Sequence, residues 1–153
     1  MASEVPTVHA SAVLAGARAV LIRGAAGTGK SRLALALIAA AKSGLLRFAR
    51  LVGDDRVHLE ASHGRLLVRP TPALAGLIEV RGVGIRRLDR EALAVVGLVV
   101  DLGADDAERL PGAGAAVIDG ITLPRLAIAA GTEALQPVIA ALASTEGDIK
   151  PRS

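Results

Sequence analysis

The apolar positions near the start of the chain follow a strand pattern first and a helix pattern afterwards. Two short apolar runs, residues 13–14 and 19–23, are predicted to be strands joined by residues 15–18. After Lys30, leucine, isoleucine and alanine fill a segment of high helix propensity. This predicts a helix over residues 29–42 that ends near Ser43-Gly44. The second strand and the helix therefore enclose a glycine-rich loop.

The rest of the chain is interpreted as short strands with one more helix. The predicted strands cover residues 48–53, 56–61, 65–69, 77–80, 83–85, 94–102, 116–118 and 121–128, with turns at 70–72 and 111–114. The 94–102 run is apolar and β-branched, as is typical of a buried central strand. Residues 132–143 are predicted as a helix capped by Thr132, and the polar tail from Ser144 is expected to be mobile. This order predicts an α/β domain with a mixed β-sheet around the loop helix.

Composition restricts the classes of protein that fit. With 153 residues, of which 52% are hydrophobic, the chain fits one globular domain. Phe48 is the only Phe, Tyr or Trp, so the aromatic platforms of single-stranded nucleic-acid binders are missing. The net charge of +3 is mild, and the one local basic group is Arg81, Arg86, Arg87 and Arg90. Nucleic-acid binding is therefore disfavoured.

Cysteine content and hydropathy give expectations about location. The absence of cysteine excludes disulfide bonds and thiolate metal sites and fits a reducing cytoplasm. The N-terminus lacks the basic start and apolar run of a signal peptide. No uncharged window reaches the roughly 18 residues that a membrane span needs. We therefore expect a cytoplasmic protein without a membrane span.

The glycine-rich loop matches the pattern G-x-x-x-x-G-K-[ST] at each fixed position. It reads Gly24-Ala25-Ala26-Gly27-Thr28-Gly29-Lys30-Ser31. Between a strand and a helix, the backbone N–H groups of such a loop point at phosphate oxygens, and the helix N-terminus adds partial positive charge. Lys30 is placed to reach the β- and γ-phosphates, and the Ser31 hydroxyl to bind Mg2+. The loop predicts binding of a nucleoside triphosphate with Mg2+, but not the fate of the γ-phosphate.

Two carboxylate positions add candidate chemistry. Asp54-Asp55 follows a short apolar run that ends at Gly53. A carboxylate there either handles Mg2+ or its water, or accepts a proton from an attacking hydroxyl, and the alternative is a surface turn. Glu79 lies in an apolar strand-like segment, where it either pairs with Arg81 on the same strand face or binds a metal ion. The local sequence leaves these alternatives open.

The three histidines carry little signal by themselves. His9 precedes the first predicted strand, and a lone histidine near a terminus is usually a surface residue. His58 and His63 lie in the hairpin predicted over residues 56–69, and both are interpreted as solvated. Local sequence therefore assigns none of them a role.

Taken together, these segments resemble the C-terminal catalytic domain of HPr kinase/phosphorylase. The resemblance runs through His9 in Val-His-Ala, the loop of residues 24–31, Asp54 in Leu-Val-Gly-Asp-Asp-Arg-Val, and Glu79 in Leu-Ile-Glu-Val-Arg-Gly-Val-Gly-Ile. The last stretch resembles the family's signature, and the segments occur in the family's order over about residues 7–130. The glycine loop is shared by many proteins, whereas the two acidic motifs at this separation are specific.

The resemblance implies a function and a fold. Family members are ATP- and Mg2+-dependent kinases that phosphorylate a serine of HPr, the phosphocarrier protein of the phosphotransferase system. Many also remove that phosphate with inorganic phosphate and release pyrophosphate. Their sheet resembles that of phosphoenolpyruvate carboxykinase, and they form hexamers. We therefore expect one catalytic P-loop domain over residues 1–153 that forms a homo-oligomer.

The resemblance also implies roles for single residues. Asp54 would accept the serine proton, and His9 would sit beside it and tune it. Lys30 would hold the phosphates, while Ser31 and Glu79 would hold Mg2+. In addition, Arg109 in Ala-Glu-Arg-Leu resembles the family's catalytic arginine, which could stabilise charge on the transferring phosphoryl group.

Two departures from the family pattern are visible. The chain starts almost at the catalytic domain, as in the short form that lacks the family's separate N-terminal domain. The family also has a Pro-Val…Gly-Arg stretch tied to dephosphorylation, and the corresponding residues 128–132 read Ile-Ala-Ala-Gly-Thr. This second departure bears on the phosphorylase activity more than on the kinase activity.

Two alternatives to a protein kinase belong to other classes. A P-loop small-molecule kinase usually carries an arginine-rich lid and a defined acceptor pocket, and only the Arg81–Arg90 region resembles such a lid. A non-enzymatic nucleotide sensor would bind ATP tightly and transfer no phosphate to any protein. Assays with HPr and with small acceptors separate these possibilities.

Overall fold

The computed structural model describes residues 6–107 and 114–143. Within these ranges the chain forms ten strands and two helices: β1 Ala10–Ala15, β2 Arg18–Arg23, α1 Lys30–Lys42, β3 Ala49–Gly53, β4 Val57–Ser62, β5 Arg65–Pro70, β6 Leu77–Val80, β7 Gly84–Arg87, β8 Ala94–Leu102, β9 Ala115–Ile118, β10 Ile121–Ile128 and α2 Leu135–Ala143. A single 3-10 turn, Pro72–Leu74, follows β5. No helix in the described part of the chain is long and apolar enough to cross a membrane.

Eight of these strands form one mixed sheet. Its main order is β3-β1-β2-β8-β10-β9, and the β4–β5 hairpin joins it where β5 pairs with the start of β8. The β2–β8 and β8–β10 pairs are parallel, while the other pairs are antiparallel. The mixed α/β sheet predicted from the sequence is confirmed. The apolar 94–102 run is the interior strand β8, with β2 on one side and β10 on the other.

Alternation along the central strands divides the core into two clusters. Val20 and Ile22 of β2 pack in a cluster that includes Leu33 and Leu37 of α1. Leu21 belongs instead to a cluster with the β4–β5 hairpin and β9. This alternation is the two-residue period of a strand buried on both faces. The helix that follows the glycine loop therefore covers one face of the sheet.

The remaining strands, β6 and β7, form a separate two-stranded sheet. Ile78 of β6 is buried in the cluster that contains α1, whereas every residue of β7 is exposed. Consequently, one strand of this pair is anchored to the body of the domain and the other faces solvent.

The second helix differs from its prediction at its N-terminus. It begins at Leu135 rather than at Thr132. The Glu133 carboxylate accepts hydrogen bonds from the backbone N–H groups of Leu135 (2.6 Å) and Gln136 (3.2 Å). A longer acidic side chain one residue further along thus does the capping that was predicted for Thr132. Residues 111–113 of the predicted turn and the tail from Ser144 lie outside the described residues.

Candidate active site at the glycine-rich loop

The glycine-rich loop connects the end of β2 to the start of α1, next to the end of β8. A Cβ atom on Gly24 would lie 2.5 Å from Thr28 Oγ1 and 3.1 Å from the carbonyl oxygen of Leu102, which leaves no space for a side chain. Gly29 caps α1 with a φ of 100°, a left-handed conformation that glycine adopts without strain. The sequence pattern is therefore explained by backbone crowding at one end of the loop and by backbone conformation at the other.

Polar side chains of the loop bond back onto its first residues. The Lys30 ammonium donates to the carbonyl oxygens of Gly24 (2.8 Å) and Ala25 (3.2 Å). The Thr28 hydroxyl donates to the Ala25 carbonyl at 2.7 Å. These bonds fix the cation of Lys30 beside the loop, at the helix N-terminus where anions are favoured.

Asp54 lies directly after β3 and faces the loop helix. Its Oδ1 accepts a hydrogen bond from the Ser11 hydroxyl at 2.6 Å. The Ser31 hydroxyl lies 2.8 Å from Oδ1 and 2.9 Å from Oδ2. Since Ser31 has one hydroxyl hydrogen, these two contacts describe one shared donor. The Oδ2 atom therefore keeps acceptor capacity for a further hydroxyl.

Burial singles out the same group of side chains. Ser11, Lys30 and Asp54 are the buried polar residues of the described chain, with exposed fractions of 0%, 7% and 5%. Burying polar groups costs free energy unless they are hydrogen-bonded, and each of the three is. This buried, hydrogen-bonded polar cluster beside the glycine loop is the candidate functional site.

His9 contacts the neighbouring carboxylate and not Asp54. Its Nε2 lies 2.7 Å from Oδ1 of Asp55, and both side chains are exposed. Asp55 has a φ of 71°, and its backbone N–H donates to the Ser11 hydroxyl at 3.3 Å. The resemblance implied that His9 would sit beside Asp54, whereas the carboxylate within hydrogen-bond distance is that of the next residue, Asp55.

Glu79 remains without a partner within the described residues. It lies exposed in β6, where its backbone pairs with Ile85, and its side chain forms neither a hydrogen bond nor an ion pair with the described residues. The Glu79–Arg81 pair considered from the sequence is therefore not formed. Arg109, the predicted catalytic arginine, lies outside the described residues.

Beside the loop lies an ion-pair network that was not predicted from the sequence. Asp101 of β8 accepts from Arg23 at 2.7 and 2.9 Å and from Arg125 of β10 at 2.5 Å. Arg125 also makes two hydrogen bonds to Asp106, at 2.8 and 3.0 Å. The network ties together the three parallel strands at the point where Arg23 leads into the loop.

The ion pairs of this network shift the pKa values of Asp101 and Arg125 in the direction that favours their charged forms. Burial would raise the pKa of Asp101, but the hydrogen bonds from Arg23 and Arg125 outweigh burial, and the pKa lies below its usual value. Hydrogen bonds to Asp106 and Asp101 raise the pKa of the Arg125 guanidinium despite its burial. Asp101 is therefore a carboxylate at neutral pH, and this charge links the arginines of β2 and β10.

The donor set at the loop fits a magnesium ion. Ser31 and Asp54 present hard oxygen atoms next to the expected phosphate position, which is the ligand chemistry of Mg2+ beside nucleotide phosphates. The Ser31 hydroxyl can donate its hydrogen to Asp54 and still offer a lone pair to a cation. In the described part of the chain, no group of three or more His, Asp or Glu side chains forms a preassembled metal site. Mg2+ that arrives with the nucleotide phosphates needs no such group.

Comparison of the sequence with models of known protein families identifies one family. The family model described as "HPr Serine kinase C-terminal domain" matches residues 1–91. The chain belongs to this family. The resemblance stated from the sequence is thereby confirmed for the segments around His9, the glycine loop, Asp54 and Glu79. The family match ends before β8, so the sequence after residue 91 follows the family model less closely.

Curated relatives support the same family over a limited length. The HPr kinase/phosphorylase of Streptococcus thermophilus is 42% identical over 84 residues, and that of Clostridium tetani is 37% identical over 83 residues. Each of these alignments covers 54% of this chain but only 24–25% of the relative. In the relative from Mycoplasma mycoides the aligned part is 19%. The chain therefore matches about a quarter or less of the length of these proteins.

The likeness of the fold extends further than the likeness of the sequence. The structure of the Hpr(Ser) kinase/phosphatase from Coxiella burnetii superposes with a TM-score of 0.74 at 25% identity. The superposition covers 90% of this chain and 94% of that chain. The family fold therefore includes strands that the sequence model does not reach.

Proposed function

We propose that this protein is an ATP- and Mg2+-dependent protein serine kinase whose substrate is an HPr-type phosphocarrier protein. The observation that carries the proposal is the buried contact of Asp54 with Ser31 of the glycine loop at 2.8 Å. This contact supports the proposal, because Ser31 is the loop residue proposed to bind Mg2+ beside the phosphates. Membership of the HPr serine kinase family supports the choice of acceptor.

In this proposal Asp54 orients and deprotonates the acceptor serine. Its Oδ1 accepts from Ser11, and the one Ser31 hydrogen is shared between Oδ1 and Oδ2, so Oδ2 keeps a lone pair for the incoming hydroxyl. The serine oxygen forms a bond to the γ-phosphorus, the bond from that phosphorus to the bridging oxygen breaks, and ADP leaves. The serine proton passes to Asp54. Most of the rate enhancement would come from positioning and charge neutralisation, as in other phosphoryl transfers.

The donor side of the proposal uses the loop of residues 24–31. Its N–H groups would bind the phosphates, and Lys30 would exchange its carbonyl partners for β- and γ-phosphate oxygens. Ser31 would bind Mg2+, and Glu79, exposed and unpaired in the described chain, is the second proposed ligand. Bound Mg2+ would neutralise charge on the phosphates. Arg109 keeps its proposed role at the transferring phosphoryl group on the resemblance alone.

Further parts of the proposal rest on the family. The domain would be a P-loop domain of the phosphoenolpyruvate carboxykinase type that acts in the cytoplasm as a homo-oligomer, with a hexamer as the expected form. Phosphorolysis of the phosphoserine is the reverse of the same reaction, and the changed residues 128–132 argue against it more than against the kinase reaction.

The Asp54→Asn variant tests the central assignment. With HPr, Mg2+ and γ-labelled ATP, wild-type protein should label HPr, and the variant should lose this transfer while its ATP affinity stays within a few-fold. The amide keeps the shape of the side chain but does not accept the proton. Transfer at the wild-type rate by the variant would show that Asp54 is not the base. Added phosphate then tests the reverse reaction through release of labelled pyrophosphate.

A further inference from the structure

A second concave site lies outside the nucleotide site. It is a cleft of about 450 Å³ between the β4–β5 hairpin and the segments that flank the β6–β7 pair. Basic and small apolar residues line it: His58, Arg69, Pro70, Pro72, Ala75, Arg90 and Ala92. His58 and Arg69 stand directly opposite each other in the hairpin register. We call this site the cationic cleft.

The positive charge of the cationic cleft is poorly neutralised within the described chain. Arg90 forms no ion pair there, and Arg69 reaches only the exposed Glu60, at 3.3 Å. Glu91, the neighbour of Arg90, is bound instead by Arg50 at 2.7 Å. Among the described residues, no acidic side chain lines the cleft. Two guanidinium groups in one concavity repel each other unless an anion lies between them.

The histidine adds a polar nitrogen to this lining. His58 Nδ1 lies 3.1 Å from the carbonyl oxygen of Pro6, which can only accept a hydrogen bond. The contact therefore places the hydrogen on Nδ1 and leaves Nε2 unengaged by the described residues. The small apolar lining residues leave space, and the hydrogen-bonding groups come from His58, Arg69 and Arg90.

The walls of the cleft are attached to the strand that leads to Asp54. The backbone of Arg90 forms an isolated β-bridge with the backbone of Leu51 in β3. Across the cleft, Pro70 stands opposite Val57 in the hairpin, and its Cα would lie 3.4 Å from a Cβ on Gly53, the residue before Asp54. A strand rises about 3.3 Å per residue. These backbone contacts with β3 therefore lie within about 10 Å of the Asp54 backbone along the strand.

We propose that the cationic cleft, whose walls contact β3 within three residues of Asp54, binds an acidic side chain of the protein acceptor. The inference rests on the proposed kinase function and adds a second contact point for the acceptor. A carboxylate matches the planar guanidinium groups of Arg69 and Arg90 in shape and charge.

The test reverses the charge of the cleft and compares it with a matched surface change. The Arg69→Glu/Arg90→Glu double variant removes both cations. The Arg65→Glu variant makes the same type of change at the other end of β5, where Arg65 is exposed and does not line the cleft. Steady-state phosphorylation of HPr should show a KM for HPr raised about tenfold or more in the double variant only. The kcat and the ATP affinity should stay within about twofold, because the nucleotide site is untouched.

A charge swap separates recognition from structural damage. An acceptor whose acidic residue near the serine is changed to arginine should lose affinity for wild-type enzyme and regain it with the double variant. If the double variant has a lower melting temperature, Arg69→Gln/Arg90→Gln replaces it, with a KM increase of about threefold or more expected. An unchanged KM in a folded double variant, or an equal increase with Arg65→Glu, overturns the proposal.

A binding measurement keeps this inference separable from the kinase proposal. If wild-type protein labels no HPr, the kinase proposal fails. Binding of a fluorescein-labelled hexaglutamate peptide then tests the cleft on its own. The peptide should bind wild type and Arg65→Glu alike, and bind the double variant about tenfold more weakly. Equal binding to all three proteins, or no binding to any of them, overturns the cationic cleft as an acidic side-chain site.

Discussion

Replacing Asp101 by Asn would test how much the ion-pair network stabilises the strands around the nucleotide loop. The Asp101 side chain is 15% exposed and accepts three hydrogen bonds from Arg23 and Arg125. Asparagine keeps the size of the side chain but replaces one carboxylate oxygen by an amino group. Because both oxygens face arginine N–H groups, either orientation of the amide sets an amino group against a donor.

The expected loss of stability follows from these contacts. One charge-assisted hydrogen bond is worth about 1.5–3 kcal/mol, and breaking a fully buried ion pair costs about 3–5 kcal/mol. Since Asp101 is only partly buried, we expect a loss of about 2–3 kcal/mol at neutral pH, or roughly 5–10 °C in Tm. The Arg50–Glu91 pair is the control, because it has a similar contact of 2.7 Å but side chains that are 41% and 30% exposed. Glu91→Gln should cost about 1 kcal/mol or less.

The pH dependence gives a second criterion. The folded pKa of Asp101 is lowered, so its charge stabilises the fold above the unfolded pKa of about 3.9, and this contribution is lost as the pH falls through the folded value. The difference between wild type and Asp101→Asn should be full at pH 7 and shrink below about pH 4.

Urea unfolding followed by far-UV circular dichroism measures this difference. Fluorescence is unsuitable, because the chain has no Trp or Tyr. A cost at pH 7 no larger than that of Glu91→Gln, or a difference that persists unchanged in acid, would refute a stabilising role for the network.

Three further predictions concern single contacts. Gly24→Ala should weaken ATP binding about tenfold or more in titration calorimetry, because the new Cβ would lie 2.5 Å from Thr28 Oγ1, and unchanged affinity would contradict this. Ser11→Ala should cost about 1–3 kcal/mol in urea unfolding and lower kcat, since it removes the buried donor to Asp54, and Ser11→Thr should cost less if the hydroxyl is what matters. Glu133→Ala should lower the free energy of unfolding by about 1 kcal/mol and increase hydrogen exchange at the start of α2, because it removes the helix cap. HPr phosphorylation should not change. Unchanged hydrogen exchange would argue against capping.

The parts of the fold that the sequence predicted are those with a local signal. The bounds of β8 agree with the apolar 94–102 run, since an interior strand packed on both faces is mostly apolar, with Asp101 as the charged exception. The glycine loop was predictable because its backbone conformation and its crowding demand particular residues. The start of α2 was predicted too early, since Thr132 and Glu133 both offer oxygen atoms for a cap and the sequence does not rank them.

The contacts that were missed join residues far apart in the chain. Ser11 precedes the first predicted strand, residues 13–14, and its contact with Asp54 forms only when β1 pairs with β3. The carboxylate of Asp101 sits in an apolar run, and nothing in its neighbourhood points to Arg125 on another strand. For Asp101 the available signal was a charged residue within a run predicted to be a buried strand, whereas Ser11 lay outside the predicted strand. Contact between His9 and Asp55 likewise depends on the local backbone after β3, where Asp55 has a positive φ.

The position of β8 has a consequence for the way the protein matures during synthesis. Gly24 packs against Leu102, and a Cβ on Gly103 would lie 3.2 Å from Thr28, so the end of β8 forms one side of the nucleotide loop. Hairpins such as β1–β2 are local and can form early, whereas the parallel β2–β8 pairing, as between Ala19 and Val96, must wait for most of the chain. A nascent chain that contains the segments around His9, the glycine loop, Asp54 and Glu79, but not β8, therefore still lacks one wall of the nucleotide site. Gain of ATP affinity would therefore report completion of the central sheet and not synthesis of the motifs.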